Sequence, residues 1–403
     1  MNYGFWKDKT VLITGNTGFK GSWLTIWLKI LGCRVVGYSL APPSEPSLFQ
    51  VSGAGNNTEM IMGDVRDKTL LARTILKYKP DIVIHMAAQS LVRPSYHQPA
   101  QTYEINVMGT VNLLEALRVH PCARSVLVVT SDKCYENRES GRPFRENDPM
   151  GGYDPYSSSK GCAELVVAAY RQSFFPENEY SEHQVALASA RAGNVIGGGD
   201  WSKDRLIVDA MNAFISGKKL YIRNPEAVRP WQHVLDPLTG YLILAEKLWT
   251  HGPAYSGAWN FGPDLEDSRP VAWVVDKLCR FWGGGANWRH DKTCSPHEAE
   301  LLFLDSSKAR LKLEWHPRLK IMSALAWTAA WYRAFQRGAD MNAMCLKQID
   351  QYEELKVIID LTKHQKKEKP VSSSKHQFLQ SSSTSFNIAM PETKIYENHH
   401  NQP

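Results

Sequence analysis

The sequence predicts an α/β protein: a doubly wound parallel sheet carrying a smaller, mostly helical second lobe. Three observations predict it. The apolar run Val11-Leu12-Ile13 passes into Gly15-Asn16-Thr17-Gly18-Phe19-Lys20-Gly21, followed by helically spaced Trp23, Ile26, Trp27 and Ile30. Strand and helix signals then alternate as far as residue 130, the pattern of parallel strands joined by right-handed crossovers. After about residue 190 the alternation gives way to Gly-, Trp- and Pro-rich stretches between helical segments, so the expected division is 1–190, 191–360 and a polar tail, 361–403.

The first strand is apolar throughout, as a strand buried on both faces must be. In the turn that follows, Gly15 permits the tight bend, Gly18 lets backbone approach a phosphate, and Gly21 lets the helix pack close to the strand. The helix N-terminus then faces the strand end, where its free N–H groups attract a pyrophosphate. Gly15, Thr17, Gly18, Phe19 and Gly21 are therefore candidate contacts to a dinucleotide, and Gly32 is the expected left-handed helix stop. Glycines also mark ordinary turns, and it is the position between strand and helix that gives these their weight.

Arg34 to Leu40 reads as the second strand. Its end normally carries an acid for NAD or an arginine for NADP, and here it carries Ser39. No arginine follows until Arg66, which favours NAD. Residues 41–57 read as loop. Glu59 to Met62 is a short third strand leading to Gly63-Asp64-Val65, where Asp64 would either accept from an adenine amino group or cap the next helix. Asp81 to Met86 is the fourth strand, and the small Ala87 and Ala88 at its end leave room for a cofactor. A helix is expected over Gln101 to His120, and a fifth strand over Ser125 to Thr130.

That strand runs into Ser131-Asp132-Lys133, polar groups at the carboxyl end of a central parallel strand, where such sheets bind ligands. Asp154-Pro155 then signals a helix start, with Tyr156 and Lys160 one turn apart on one face. The Lys160 ammonium is expected to favour tyrosinate and make the phenol a usable base. Tyr-x-x-x-Lys alone is a common accident on a solvated helix face. Behind a dinucleotide turn and five strand signals, with Ser131 placed to bond a substrate hydroxyl, it reads as a reacting pair.

Composition excludes several classes. Charged residues are 22% and hydrophobic residues 43%, as in ordinary globular chains, and no apolar run approaches membrane-spanning length. The net charge is +6, but seven lysines against four acids fall in 356–403, so half the excess lies there and nucleic-acid binding is not implied. The seven cysteines are scattered, without a C-x-x-C pair or zinc spacing, and read as reduced cytoplasmic thiols. The first residues show no secretory signal. Neither His233 nor His297 suggests a metal site.

Val129-Thr-Ser-Asp-Lys-Cys-Tyr-Glu-Asn137, Asp154-Pro-Tyr-Ser-Ser-Ser-Lys-Gly161, Arg191-Ala-Gly-Asn194 with Gly197-Gly-Gly-Asp-Trp201, and Arg229-Pro-Trp-Gln-His-Val234 resemble the CDP-glucose 4,6-dehydratases. These are nucleotide-sugar dehydratases of the extended short-chain dehydrogenase/reductase superfamily, and the resemblance spans roughly residues 4 to 355. Related dehydratases carry Asp-Glu where this chain has Asp132-Lys133, and epimerases of the superfamily lack the pair. The resemblance implies an internal redox cycle. Tyr156 takes the C4 hydroxyl proton as hydride leaves for NAD, Lys133 removes the C5 proton, Asp132 protonates the departing C6 hydroxyl, and hydride returns to C6. The alternative for Lys133 is that it only orients Asp132 or binds a phosphate. Asn194, Arg205 and Arg229 are the candidates for the diphosphate, since guanidinium forks suit phosphate oxygens. Trp201 and Trp231 have the shape to stack on the base, although with 13 tryptophans in the chain core packing is the commoner role. The resemblance also implies a homo-oligomer, dimer or tetramer, built through two helices per subunit. It ends before the tail, whose Lys-, Ser-, Gln- and Asn-rich composition reads as disordered.

Overall fold

In the computed structural model, residues 2–139, 141–291 and 301–367 are described, the last twelve as backbone. Seven strands form one parallel sheet: β1 (Thr10–Thr14), β2 (Arg34–Ser39), β3 (Glu59–Met62), β4 (Ile82–His85), β5 (Ser125–Val129), β6 (Ala186–Ala192) and β7 (Gly257–Phe261). Their spatial order is β7-β6-β5-β4-β1-β2-β3, so the order reverses between β1 and β4. That reversal opens the crevice at the carboxyl ends where doubly wound sheets take ligands.

Side chains alternate across the sheet with period two. Val11, Ile13, Ile82, Ile84 and Leu127 face one core with Trp23, Leu24 and Trp27 of helix α1 (Phe19–Ile30). Leu12, Val36, Val83 and Val126 face the other core. There they meet Leu71 and Ile75 of α2 (Lys68–Tyr78), Leu113, Leu114 and Leu117 of α3 (Gly109–Val119), and Val167 of α4 (Pro155–Ser173).

Three sequence expectations change. The loop 41–57 contains one helical turn, Leu48–Val51, started by Ser47, whose hydroxyl accepts from Gln50 N at 3.3 Å. The helix expected over 101–120 is three pieces: Pro99–Tyr103, a π-helical turn Glu104–Met108, and α3. The inserted residue turns Asn106 toward two other elements. Its Nδ2 donates to Gln89 O at 2.9 Å and to Ser159 Oγ at 2.8 Å, while its Oδ1 accepts from Gln89 N at 2.8 Å. The division expected at 190 falls inside β6, and β7 from the later half completes the sheet. The β6–β7 ladder therefore joins the two halves, and a bridge between Phe144 and Leu304 joins them again. The described residues up to Val357 form one compact unit.

The later half adds α5 (Leu206–Ile215), α6 (Leu235–His251), α7 (Val271–Trp282), α8 (Ile321–Gln336) and α9 (Met341–Lys367). The last helix continues past residue 361, where the tail was expected to begin; residues beyond Lys367 lie outside the described ones. The segment after β6 is bolted down by aromatic rings. Trp201 packs edge-on against Trp331 at 5.5 Å, Tyr332 at 5.8 Å and Phe335 at 5.1 Å, and Tyr332 Oη donates to Asp200 O. Gly198 packs against Trp331, and its carbonyl accepts from Trp23 Nε1 at 3.0 Å. A Cβ there would come within 2.0 Å of the Trp331 ring. Gly198→Ala is expected to lower stability by about 1–3 kcal/mol, read as a lower denaturation midpoint in urea.

Candidate active site

A single cavity of about 840 Å³ runs along the carboxyl ends of the strands, from the glycine turn to the segment after β6. Gly15, Thr17, Gly18, Phe19, Gly21, Ser39, Asp64, Val65, Ala87 and Ala88 line one arm, Ser131, Asp132, Lys133, Tyr156 and Lys160 the middle, and Asn194, Arg205 and Arg229 the other arm. Every candidate residue singled out for cofactor, chemistry or diphosphate thus borders one space, although the three sets are far apart in sequence.

In the arm at the glycine turn, two positions leave no room for a side chain. Gly15 has φ +77°, and a Cβ on it would lie 2.7 Å from Ala87 N; a Cβ on Gly21 would lie 2.2 Å from Gly15 O. Both positions need glycine for the turn itself. Gly18 is the N-cap of α1 and makes no side-chain cap, so the first N–H groups of the helix are left for a ligand. At the end of β2, Thr17 Oγ1 and Ser39 Oγ lie 2.6 Å apart. Arg66 closes a fork on Asp64, with Nη2 to Oδ2 at 2.7 Å, and reaches Glu104 at 3.4 Å. Its guanidinium is therefore committed and does not offer itself to a ribose phosphate. Those hydrogen bonds hold the Asp64 carboxyl below its ordinary range. Asp67, not Asp64, caps α2, accepting from Thr69 N at 3.1 Å and Leu70 N at 3.0 Å.

The candidate reacting groups come from two elements. β5 ends in a 3₁₀ turn, Asp132–Cys134, whose cap is Ser131; the Ser131 hydroxyl accepts from Lys133 N at 3.2 Å and donates to Asp132 Oδ1 at 3.0 Å. Asp132 is 2% exposed, and its Oδ2 has no hydrogen-bond partner among the described residues. Burial raises its pKa above the carboxylate norm, against the pull of Lys133, the Ser131 bond, Arg229 and Lys20. A carboxyl biased toward its acid form, with one oxygen unbonded, suits proton donation. Lys133 borders the cavity beside it, half-buried.

The second element is α4, started by Asp154, which accepts from Ser157 N at 2.9 Å, with Pro155 in the first turn. Tyr156 and Lys160 both point into the cavity. The expected activation of the phenol is not present in the protein alone. Burial pushes Tyr156 up to about 12, outweighing the Ser131 hydrogen bond and the Arg205 charge that lower it. Burial pushes the Lys160 ammonium down to about 8, with Glu164 pulling it back. A low-dielectric site penalises tyrosinate and ammonium alike, and this outweighs the help one was expected to give the other.

In the far arm, Arg205 is held by Asp200 at 2.6 Å and by Ser90 Oγ at 3.2 Å, and Arg229 donates to Val228 O at 2.9 Å. Asn194 presents its side chain to the cavity while its carbonyl accepts from Gln232 N at 3.0 Å. The tryptophans separate. Trp231 borders the cavity, its Nε1 donating to Arg269 O at 2.9 Å, whereas Trp201 belongs to the ring cluster. His233 is buried between Trp23 and Trp327, and burial drives its pKa down to about 3. His297 lies outside the described residues.

Sequence reading missed Lys20, Asn106 and Glu164. Lys20 stands in the glycine turn and borders the cavity near Arg205, Lys160, Asp132 and Asp200; burial, with the two cations, lowers it to about 8. Its place inside the motif was a signal; Asn106 and Glu164 looked like ordinary polar residues of helices.

The sequence model of the GDP-mannose 4,6-dehydratase family matches residues 12–250. A CDP-glucose 4,6-dehydratase of Salmonella typhimurium is 51% identical over 352 residues, covering 87% of this chain and 98% of that protein. A UDP-glucose 4-epimerase of Oryza sativa subsp. japonica is 27% identical over 336 residues, covering 78% of this chain and 87% of its own. Among solved structures, a dTDP-glucose 4,6-dehydratase from Bacillus anthracis in complex with NAD superposes with a TM-score of 0.68 at 21% identity, over 82% of this chain and 98% of that one.

Proposed function

The chain belongs to the GDP-mannose 4,6-dehydratase family, and from that premise we propose that it is a hydro-lyase converting CDP-glucose to CDP-4-keto-6-deoxyglucose and water. The observation that carries the reading is the juxtaposition of a buried, partnerless Asp132 oxygen and Lys133 with the Tyr156–Lys160 pair in one cavity. An epimerase needs only to oxidise and re-reduce C4; elimination needs a second acid and base. The 51% identity over nearly the whole of a CDP-glucose dehydratase, against 27% for an epimerase, supports the same choice.

The glycine turn, Thr17, Ser39, Asp64, Val65, Ala87 and Ala88 would hold NAD, which would supply the hydride acceptor and donor. Tyr156 removes the proton of the C4 hydroxyl, assisted by the Ser131 hydrogen bond. The 4-ketone acidifies C5, and Lys133 takes the C5 proton. Asp132, held toward its protonated form, gives a proton to the C6 hydroxyl as it leaves as water, and the C5=C6 double bond that results is reduced by return of the hydride to C6 while Lys133 gives its proton back to C5. Lys160 keeps a cation beside the phenol. Arg205, Arg229 and Asn194 hold the diphosphate, with Arg205 exchanging Asp200 for phosphate oxygens, and residues after 191 form the substrate lobe.

No helix among the described residues is long and apolar enough to cross a membrane. The six described cysteines are unpaired, which supports a reducing, cytoplasmic setting. Met108, Leu165 and Phe174, at 49%, 59% and 44% exposed, lie on or beside α3 and α4 and support a homo-oligomer through those helices.

The test is a panel of nucleotide hexoses, followed by mass spectrometry for loss of one water. CDP-glucose is expected to turn over much faster than UDP-, GDP- or dTDP-linked hexoses. Equal turnover of any of these overturns the substrate assignment.

A further inference from the structure

In the reaction proposed above, on which this inference rests, the phenol must meet the C4 oxygen while Asp132 and Lys133 meet C6 and C5 of the same sugar ring. These groups sit on separate elements, α4 and the turn after β5, and a misplacement of about 1 Å between such groups can cost ~100-fold in rate. One side chain joins the two elements. Glu164 lies on α4 one turn beyond Lys160 and two beyond Tyr156, on the same face. Its Oε1 accepts from Thr130 Oγ1 at 2.5 Å, and Thr130 is the residue immediately before Ser131. Its Oε2 accepts from Ser189 Oγ on β6 and from Arg191 Nη2, both at 2.7 Å.

Arg191 carries the connection to the other end of the turn. Its Nη1 donates to Tyr135 Oη at 2.7 Å and to Glu146 O at 2.9 Å, and Tyr135 Oη donates to Asn260 Oδ1 on β7 at 2.7 Å. The segment 131–134 is thus gripped at Thr130 and at Tyr135 by a single ion pair rooted in the catalytic helix. The Arg191 and Glu164 side chains are 4% and 3% exposed, and neither borders the cavity. A buried pair of this kind is weak evidence for stability, because apolar residues of similar volume hold a core equally well. What apolar residues cannot supply is directional bonding to Thr130, Ser189 and Tyr135 at once.

We propose that Glu164, with Arg191, is a positioning residue that sets the catalytic helix in register with the turn carrying Asp132 and Lys133. A second consequence follows from its place beneath Lys160. The titratable groups around that ammonium are Tyr156 and Glu164 on α4, Cys134 in the turn, His85 on β4 and Lys20 on α1. Burial keeps Cys134 and His85 neutral, so Glu164 is the anion that sustains the Lys160 charge.

The experiment uses the full-length protein and compares Glu164→Gln, Glu164→Asp and Thr130→Val. The readouts are thermal melting, KM and kcat for CDP-glucose, and the pH profile of 4-keto sugar formed in a quenched single turnover. Glu164→Gln is expected to lower kcat by about 10- to 100-fold with KM little changed, and to move the alkaline limb of C4 oxidation to lower pH, because Lys160 loses its counter-charge. Glu164→Asp, which keeps the charge but shortens the reach, should restore the limb and leave part of the kcat loss. Thr130→Val, which keeps the ion pair and removes one arm, should lower kcat without moving the limb. A folded Glu164→Gln with wild-type kcat and an unmoved limb overturns the proposal. If Glu164→Gln does not fold, wild-type kcat in Thr130→Val overturns it. Wild-type protein that fails to turn over CDP-glucose would instead overturn the functional reading, so the two failures are distinct.

Discussion

Tyr156→Phe is expected to reduce C4 oxidation by about 100- to 10,000-fold, the usual worth of a general base. The substitution removes one oxygen from a ring that is 7% exposed, and the backbone that fixes it is untouched: Tyr156 N donates to Ser95 Oγ at 3.1 Å whatever the side chain. Folding should therefore be preserved and the melting curve little changed. In a quenched single turnover no 4-keto sugar should form, and because the C5 proton is acidified only by that ketone, solvent deuterium should not enter C5 either. Both losses together identify a block at the first step. A variant retaining most of its turnover would reduce Tyr156 to a packing role.

Lys133→Met is expected to stop the reaction one step later. Tyr156, Lys160, Ser131 and the cofactor arm are unaltered, so CDP-glucose should bind and the 4-ketone should form in stoichiometric amount. Without the amine, C5 should not exchange with deuterated solvent, and water loss should fall by a factor of about 100 to 10,000. If Lys133 only orients Asp132 or touches a phosphate, the variant should eliminate slowly or bind weakly yet still exchange C5. Exchange at the wild-type rate, followed by mass spectrometry, removes Lys133 from the base role. The same variant leaves Asp132 without the strongest of the charges that oppose its burial, which biases the carboxyl further toward its acid form. The loss of elimination therefore cannot be ascribed to an ionised Asp132.

The two substitutions divide the active site along the line the fold draws. In the proposed mechanism oxidation belongs to α4 and elimination to the turn after β5, and the buried Glu164–Arg191 pair links the two elements. That mechanism requires the sugar to present C4 to one element and C5–C6 to the other without shifting between steps. A frame fixed by directional bonds suits this better than one held by apolar contact, which specifies area but little orientation.

Much of this protein is written locally in its sequence. The β1–glycine–α1 unit, the ends of β2 to β5, the Asp154 cap and the Tyr156–Lys160 pair were all legible, because each depends on residues within one turn or one strand. The alternation that predicted a doubly wound sheet is likewise a property of neighbours, and the parallel order follows from crossover handedness. Tertiary structure decided the rest. It placed β7 on the sheet from beyond residue 250, so that the boundary expected at 190 cuts a strand. It gave Asp64 to Arg66, inserted the π-turn that swings Asn106 onto Gln89 and Ser159, and set Glu164 against Thr130, Ser189 and Arg191. It also raised the Tyr156 phenol where sequence reasoning expected it lowered. Periodicity and caps are read along the chain, whereas burial, and with it the energy of a charge, is fixed by segments folded over the site from far away in sequence.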